Sequence, residues 1–165
     1  MRFHPPGPRR FVSGWVLVAP QDMRKGFAML AGRVADNPEA KRVWERLANT
    51  AEVYLKDGEQ ISIQARAGTV PQGAADSRKL CQTLAGTMAK LADRQLTMYE
   101  CGLIEVAGLT MLYVDHDGVV SGMRTMQFWL EKEPGKVIQF TLNCKGNNVE
   151  ARRRELRDII ASVRW

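Results

Sequence analysis

A chain of 165 residues, 45% apolar and 25% charged, is long enough to bury a core as one domain without covalent staples. No apolar run reaches the roughly 18–20 residues of a membrane span, and the opening Met1-Arg2-Phe3-His4-Pro5-Pro6 lacks the apolar stretch of a secretory signal. Half of the net charge of +6 sits in Arg2, Arg9 and Arg10, and the rest is too thinly spread to mark a nucleic-acid stripe.

Three cysteines, Cys81, Cys101 and Cys144, are an odd number with no close pair. That pattern argues against a disulfide framework or a zinc site, and for a reducing, cytoplasmic setting. Residues 1–10, with Pro5, Pro6 and Pro8, read as a flexible basic arm, and residues 11–165 as a single domain.

Phe11 to Ala19 is apolar on both sides and reads as a largely covered strand that Pro20 ends. Met23, Phe27, Leu30, Ala31 and Val34 then fall at helical spacing, although Gly26 and Gly32 weaken that helix. A second helix starts more clearly. Asp36 or Asn37 caps it, Pro38 suits its first position, and Ala40, Val43, Trp44, Leu47 and Ala48 make one apolar stripe.

Ala51 to Lys56 and Gln60 to Ala67 flank Asp57-Gly58, a tight-turn sequence, and so predict a hairpin. In its second strand Ile61, Ile63 and Ala65 alternate with Gln60, Ser62, Gln64 and Arg66, which gives one wet face. After a loop over Thr69 to Ser77, with Asp76 or Ser77 as cap, comes a long helix. Its stripe is Leu80, Cys81, Leu84, Ala85, Met88, Leu91 and Ala92, with Cys81 as a buried thiol.

Four strands follow, roughly 97–106, 109–114, 119–131 and 136–145, separated by Ala107-Gly108, Asp115-His116-Asp117-Gly118 and Glu133-Pro134-Gly135-Lys136. Alternation places Ile104, Val106, Leu112, Val114, Met126, Phe128, Leu130, Ile138, Phe140 and Leu142 on one face. Leu103, Glu105, Met111, Tyr113, Thr125, Gln127, Trp129, Gln139 and Thr141 fall on the other, unless Gly102 or Gly122 introduces a bulge. Asn147 or Asn148 starts a closing helix whose Leu156, Ile159, Ile160 and Val163 face the sheet while its arginines face out. The expected fold class is α+β, an antiparallel meander with helices packed on it.

The C-terminal half carries a resemblance. The segments Gly-Leu-Thr-Met-Leu-Tyr-Val, Met-Arg-Thr-Met-Gln-Phe-Trp-Leu and Pro-Gly-Lys-Val-Ile-Gln-Phe-Thr-Leu lead into a helix ending Ile-Ile-Ala-Ser-Val-Arg-Trp. This order, from Glu100 to Trp165, resembles the PsbP/DcrB-like superfamily, which includes Ran-binding nuclear import factors and bacterial chaperones of type VI secretion effectors. The resemblance implies a mostly non-catalytic protein that binds another protein, such as a secreted effector, or cradles an apolar helix of a client against its sheet.

No residue set argues for chemistry. The two histidines are His4 and His116, Asp115-His116-Asp117-Gly118 lacks further spaced metal partners, and no phosphate loop is present. Catalytic, metal and cofactor sites are therefore expected to be none, and the partner a protein rather than a nucleic acid. The candidate contact set is Leu103, Met111, Tyr113, Gln127, Trp129, Gln139 and Thr141, which mixes aromatic and Met side chains with hydrogen-bonding groups. Two other readings are weighed. One is a small-ligand or enzyme pocket between helices and sheet, converging on His116 or a glutamate pair. The other is nucleic-acid binding through the arm and Arg152 to Arg154.

Overall fold

The computed structural model describes residues 14–33, 36–92, 95–118 and 120–163. The expected basic arm, the start of the first strand and Trp165 lie outside the described residues. Within them, helices α1 (Pro20–Arg33) and α2 (Pro38–Thr50) form a pair that follows β1 (Val16–Leu17). Strands β2 (Ala51–Lys56) and β3 (Glu59–Ala67) come next, then α3 (Ala74–Ala92). The chain ends with β4 (Met98–Val106), β5 (Leu109–Asp117), β6 (Met123–Glu133), β7 (Lys136–Lys145) and α4 (Val149–Ser162).

Local chemistry accounts for most boundaries. Asn37 caps α2 by accepting the Ala40 N–H at 3.0 Å, with Pro38 in the first turn where its missing N–H costs nothing. Asp57 and Gly58 both have positive φ, 52° and 77°, so their turn carries the twist that a two-residue hairpin needs. Ala107 and Gly108 repeat it at 53° and 78°. The expected Asp115–Gly118 turn is displaced, because β5 continues through Asp117 and the chain reverses after it. Gly118 donates to the Met123 carbonyl at 2.8 Å there, and a Cβ on Gly118 would lie 2.8 Å from that of Met123, so only glycine fits. Helix α3 starts at Ala74, earlier than its expected caps. Ser77 lies inside its first turn, with its N–H bonded to the Gly73 carbonyl.

All seven strands form one antiparallel sheet in the order β1-β2-β3-β7-β6-β5-β4. Helix α3 is the link between its halves, carrying the chain from β3 in the middle to β4 at the far edge. This is the mixed α+β architecture that the meander implied, with four helices packed on the sheet. Bulges lie at Met98/Glu100 and Glu131/Glu133, not at Gly102 or Gly122.

The two faces differ sharply. On the first, Ile63, Phe140, Phe128 and Tyr113 stand in one cross-strand row, and Ile61, Leu142 and Met126 in the next. Helix α4 closes this face with Leu156, Ile159, Ile160 and Val163, as its periodicity demands. Removing each such side chain from water stabilises the fold by about 1.5–3 kcal/mol. On the second face α1 and α2 cover β2 through Phe27, Ala51, Val53 and Trp44. Helix α3 covers the β4–β5 side through Leu80, Cys81, Leu84 and Met88, which pack on Leu112 and Val114.

Three expectations are corrected by this packing. Met111 and Tyr113 belong to the α4 face, and Leu112 and Val114 to the other, so β5 is turned over relative to the alternation assumed for it. The reason is that Met111, Leu112, Tyr113 and Val114 are all buried, and alternation has no polar side to read. Cys81 and Cys101 form a disulfide that ties α3 to β4, and Cys144 is a buried free thiol whose pKa burial pushes up to about 11. The pairing removes the cysteine argument for a reducing compartment. Finally, not all α4 arginines face out. Arg152 is buried against Glu59, while Arg154 and Arg157 are exposed.

Candidate functional site: a polar strip between α2 and α3

Between the two helical layers of the second face, the middle strands β3, β7 and β6 present hydrogen-bonding side chains. Their rows read Ser62, Thr141, Gln127 and then Gln64, Gln139, Trp129 across the three strands. Ser62, Gln64 and Trp129 are buried, whereas Gln127, Gln139 and Thr141 remain half-exposed. Period-two geometry produces this strip, since the partners of these residues along each strand are the large apolar groups of the α4 face.

The strip is wired together. Gln139 Nε2 donates to Thr141 Oγ1 at 3.1 Å and lies 3.4 Å from Gln127 Oε1. Gln127 Oε1 also accepts the Trp129 indole N–H at 2.9 Å. Arg66 Nε donates to Gln139 Oε1 at 3.1 Å, and its guanidinium stacks 4.2 Å above the Trp129 ring. One row further along, Thr125 donates to Asn143 Oδ1 at 2.7 Å. Burial, and after it the charge of Arg46, lower the Arg66 pKa. The amides are therefore preset in direction, with donor and acceptor capacity left over on a half-exposed floor.

Of the seven sequence-derived contact residues, the fold brings Gln127, Trp129, Gln139 and Thr141 together on this strip. Leu103 shares the face but packs in the cluster under α3. Met111 and Tyr113 lie on the opposite side of the sheet, in the core. Arg66 is what the sequence reading missed. Its place on the wet side of β3 was legible, but its nearness to Trp129 depends on the β3–β7 pairing, which joins segments 73 residues apart.

Two charged clusters lie on the α4 side. Glu59 is fully buried and accepts the Lys145 backbone N–H at 2.9 Å, Asn148 Nδ2 at 2.8 Å and the Arg152 guanidinium. Burial alone would raise the Glu59 pKa, but these bonds and the Arg152 charge outweigh it and hold the carboxyl below its usual range. Arg152 also reaches Glu155 at 3.1 Å, and Glu155 accepts the Trp15 indole N–H and the Lys56 ammonium, each at 3.0 Å. In the second cluster Asp115, also buried, takes a two-pronged Arg124 contact at 2.7 and 3.0 Å and Arg153 at 2.8 Å. Tyr113 completes it from a distance of 3.2 Å. Each carboxylate is saturated by internal donors, which makes these clusters fasteners between sheet and α4. They also use Arg152 and Arg153, two of the three arginines in the 152–154 run that, with the arm, was weighed as a nucleic-acid surface.

His116 is buried in β5 rather than in a turn. Its Nδ1 lies 2.6 Å from the Asp117 carbonyl, Nε2 has no partner among the described residues, and burial lowers its pKa. One concavity of about 330 Å³ is lined by Tyr99, Asp117, Met123 and Arg124, and another of about 320 Å³ runs along α4 between Glu150 and Asp158. Neither converges on His116. Among the described residues no cluster of three or more His, Cys, Asp or Glu side chains is placed to hold a metal ion, and no helix is long and apolar enough to cross a membrane.

No protein-family profile matches the chain, and no curated protein matches it in sequence. Solved structures do match in shape. The solution structure of cyanobacterial PsbP (CyanoP) from Synechocystis sp. PCC 6803 is 12% identical with a TM-score of 0.56, covering 93% of this chain and 83% of that one. The Pseudomonas aeruginosa protein PA94 is 14% identical with a TM-score of 0.46, covering 70% and 91%. LpqN, involved in cell envelope biogenesis of Mycobacterium tuberculosis, is 12% identical with a TM-score of 0.47, covering 94% and 82%. With its seven-stranded antiparallel sheet and flanking helices, the chain has a PsbP-like fold.

Proposed function

We propose that this protein is a non-catalytic binding module, adaptor or chaperone-like in role, that holds a segment of a partner protein on the strip between α2 and α3. The observation that carries the reading is the half-exposed trio Gln127, Gln139 and Thr141, on a sheet whose other face is closed by α4. Hydrogen-bonding side chains in the middle of a sheet face cost stability when merely covered, and that cost is recovered when a partner supplies matching groups. An extended segment with free backbone N–H and C=O groups meets this requirement. An apolar helix does not, because it would bury the amides with nothing to bond. Substituting Gln127→Glu together with Thr141→Glu fills the strip with negative charge at half-exposed positions. The tagged double variant should lose the partner that the wild-type chain retains on co-purification, while its thermal midpoint stays within about 5 °C of wild type. Retention of the partner by a folded double variant would refute the site.

A further inference from the structure

The strip is not electrically neutral, and Arg66 is its unusual member. Its guanidinium is held in place twice, by the bond from Nε to Gln139 and by the Trp129 ring beneath it. Among the described residues it forms no ion pair, and no acid contributes to its titration, whereas Arg46 sits close enough to repel it. Glu131 shares the row of Val137, the residue paired with Arg66, but its two carboxylate oxygens accept the backbone N–H groups of Val70 and Gly135, at 2.9 and 3.0 Å. A half-buried arginine in this condition bears a desolvation cost that one neutral hydrogen bond and a ring stack offset only in part, with no carboxylate paired to it among the described residues. The Arg152 and Arg124 guanidinia, by contrast, each find a buried carboxylate.

We propose that Arg66 is the anchor for a carboxylate of the partner, so that the strip takes an acidic, extended segment. This rests on the reading of the strip as the partner site and adds the chemistry of what lies in it. With Nε committed to Gln139, the guanidinium still has N–H groups to present, and stacking on Trp129 fixes their plane before the ligand arrives. The net charge of +6 favours approach of such a segment.

The test uses two fluorescein-labelled peptides of twelve residues built from Gly and Ser. One carries three central glutamates and the other three glutamines. Anisotropy titrations of the full chain should show the acidic peptide binding about tenfold more tightly than its neutral twin at low salt. In Arg66→Gln the preference should fall to less than about threefold, and Arg66→Lys, which keeps the charge but not the planar fork, should lie between. Circular dichroism melts confirm that each variant is folded. Equal binding of the two peptides, or an acidic preference that survives Arg66→Gln, overturns the anchor but leaves the strip as a partner site. Binding of neither peptide at millimolar concentration also overturns the anchor, while the Gln127 and Thr141 variants decide the strip separately.

Discussion

Replacing Arg152 with alanine should lower the unfolding free energy by about 3–5 kcal/mol, measured by urea denaturation at neutral pH. The loss does not measure the worth of the ion pair against water. It arises because Glu59, fully buried, would be left with a charge that two neutral donors cannot compensate. The pH dependence distinguishes this cause from lost packing. Glu59 ordinarily titrates near 4.5, and its folded pKa lies below that, so its contribution is present above this range. As pH falls through the folded pKa the contribution is lost, because the unfolded chain binds the proton first. In Arg152→Ala the remaining burial raises the Glu59 pKa instead, and protonation relieves the unpaired charge. The gap between variant and wild type should therefore begin to narrow above about pH 4.5, where the variant's Glu59 takes up its proton, and close as pH falls through the depressed wild-type value. A gap that stays constant with pH would show that Arg152 acts through its aliphatic stem and not through Glu59.

Tyr113→Ala should cost about 3–5 kcal/mol, and Gln127→Ala less than about 1 kcal/mol. Tyr113 is 3% exposed, packs 4.8 Å from the Phe128 ring centroid and reaches Asp115 with its hydroxyl. Truncation leaves a void among Phe128, Phe140 and the α4 side chains that cannot collapse without moving the helix. Tyr113→Phe should cost only about 1 kcal/mol, since the ring stays and Asp115 keeps both arginines. Gln127 is half-exposed on the opposite face and leaves no cavity. Urea midpoints with unchanged slopes would establish these values. A Tyr113→Ala cost below about 1 kcal/mol would mean that β5 does not face α4 as described.

Much of this was legible in the chain before any fold was known. Asn37-Pro38, Asp57-Gly58 and Pro134-Gly135 declare their own backbone conformations, so the elements they bound could be placed locally. Polar alternation fixed the faces of β3, β6 and β7, where each strand has a wet side and a dry one. Strand β5 defeated the same logic by being apolar throughout. The Ala107-Gly108 turn did hold the answer. A two-residue turn pairs Val106 with Leu109, and that pairing forces Met111 and Tyr113 to the side of Val106.

Long-range events were not legible. The Cys81–Cys101 disulfide needs α3 laid back over β4, a crossover that the cysteine count does not report. Glu59 and Arg152, 93 residues apart, meet only once α4 is laid against the start of β3. Arg66 likewise gained its meaning only when β3 was set beside β7 and Trp129 came within reach.

The central claim is that the strip between α2 and α3, not the α4 side, is the working surface. The most direct measurement places a benzoylphenylalanine crosslinker at Gln127 in one variant and at Arg154, on the exposed side of α4, in another. Irradiation in cells that contain the partner should give a discrete adduct from position 127 and none from 154. An adduct from 154 with none from 127 would contradict the account.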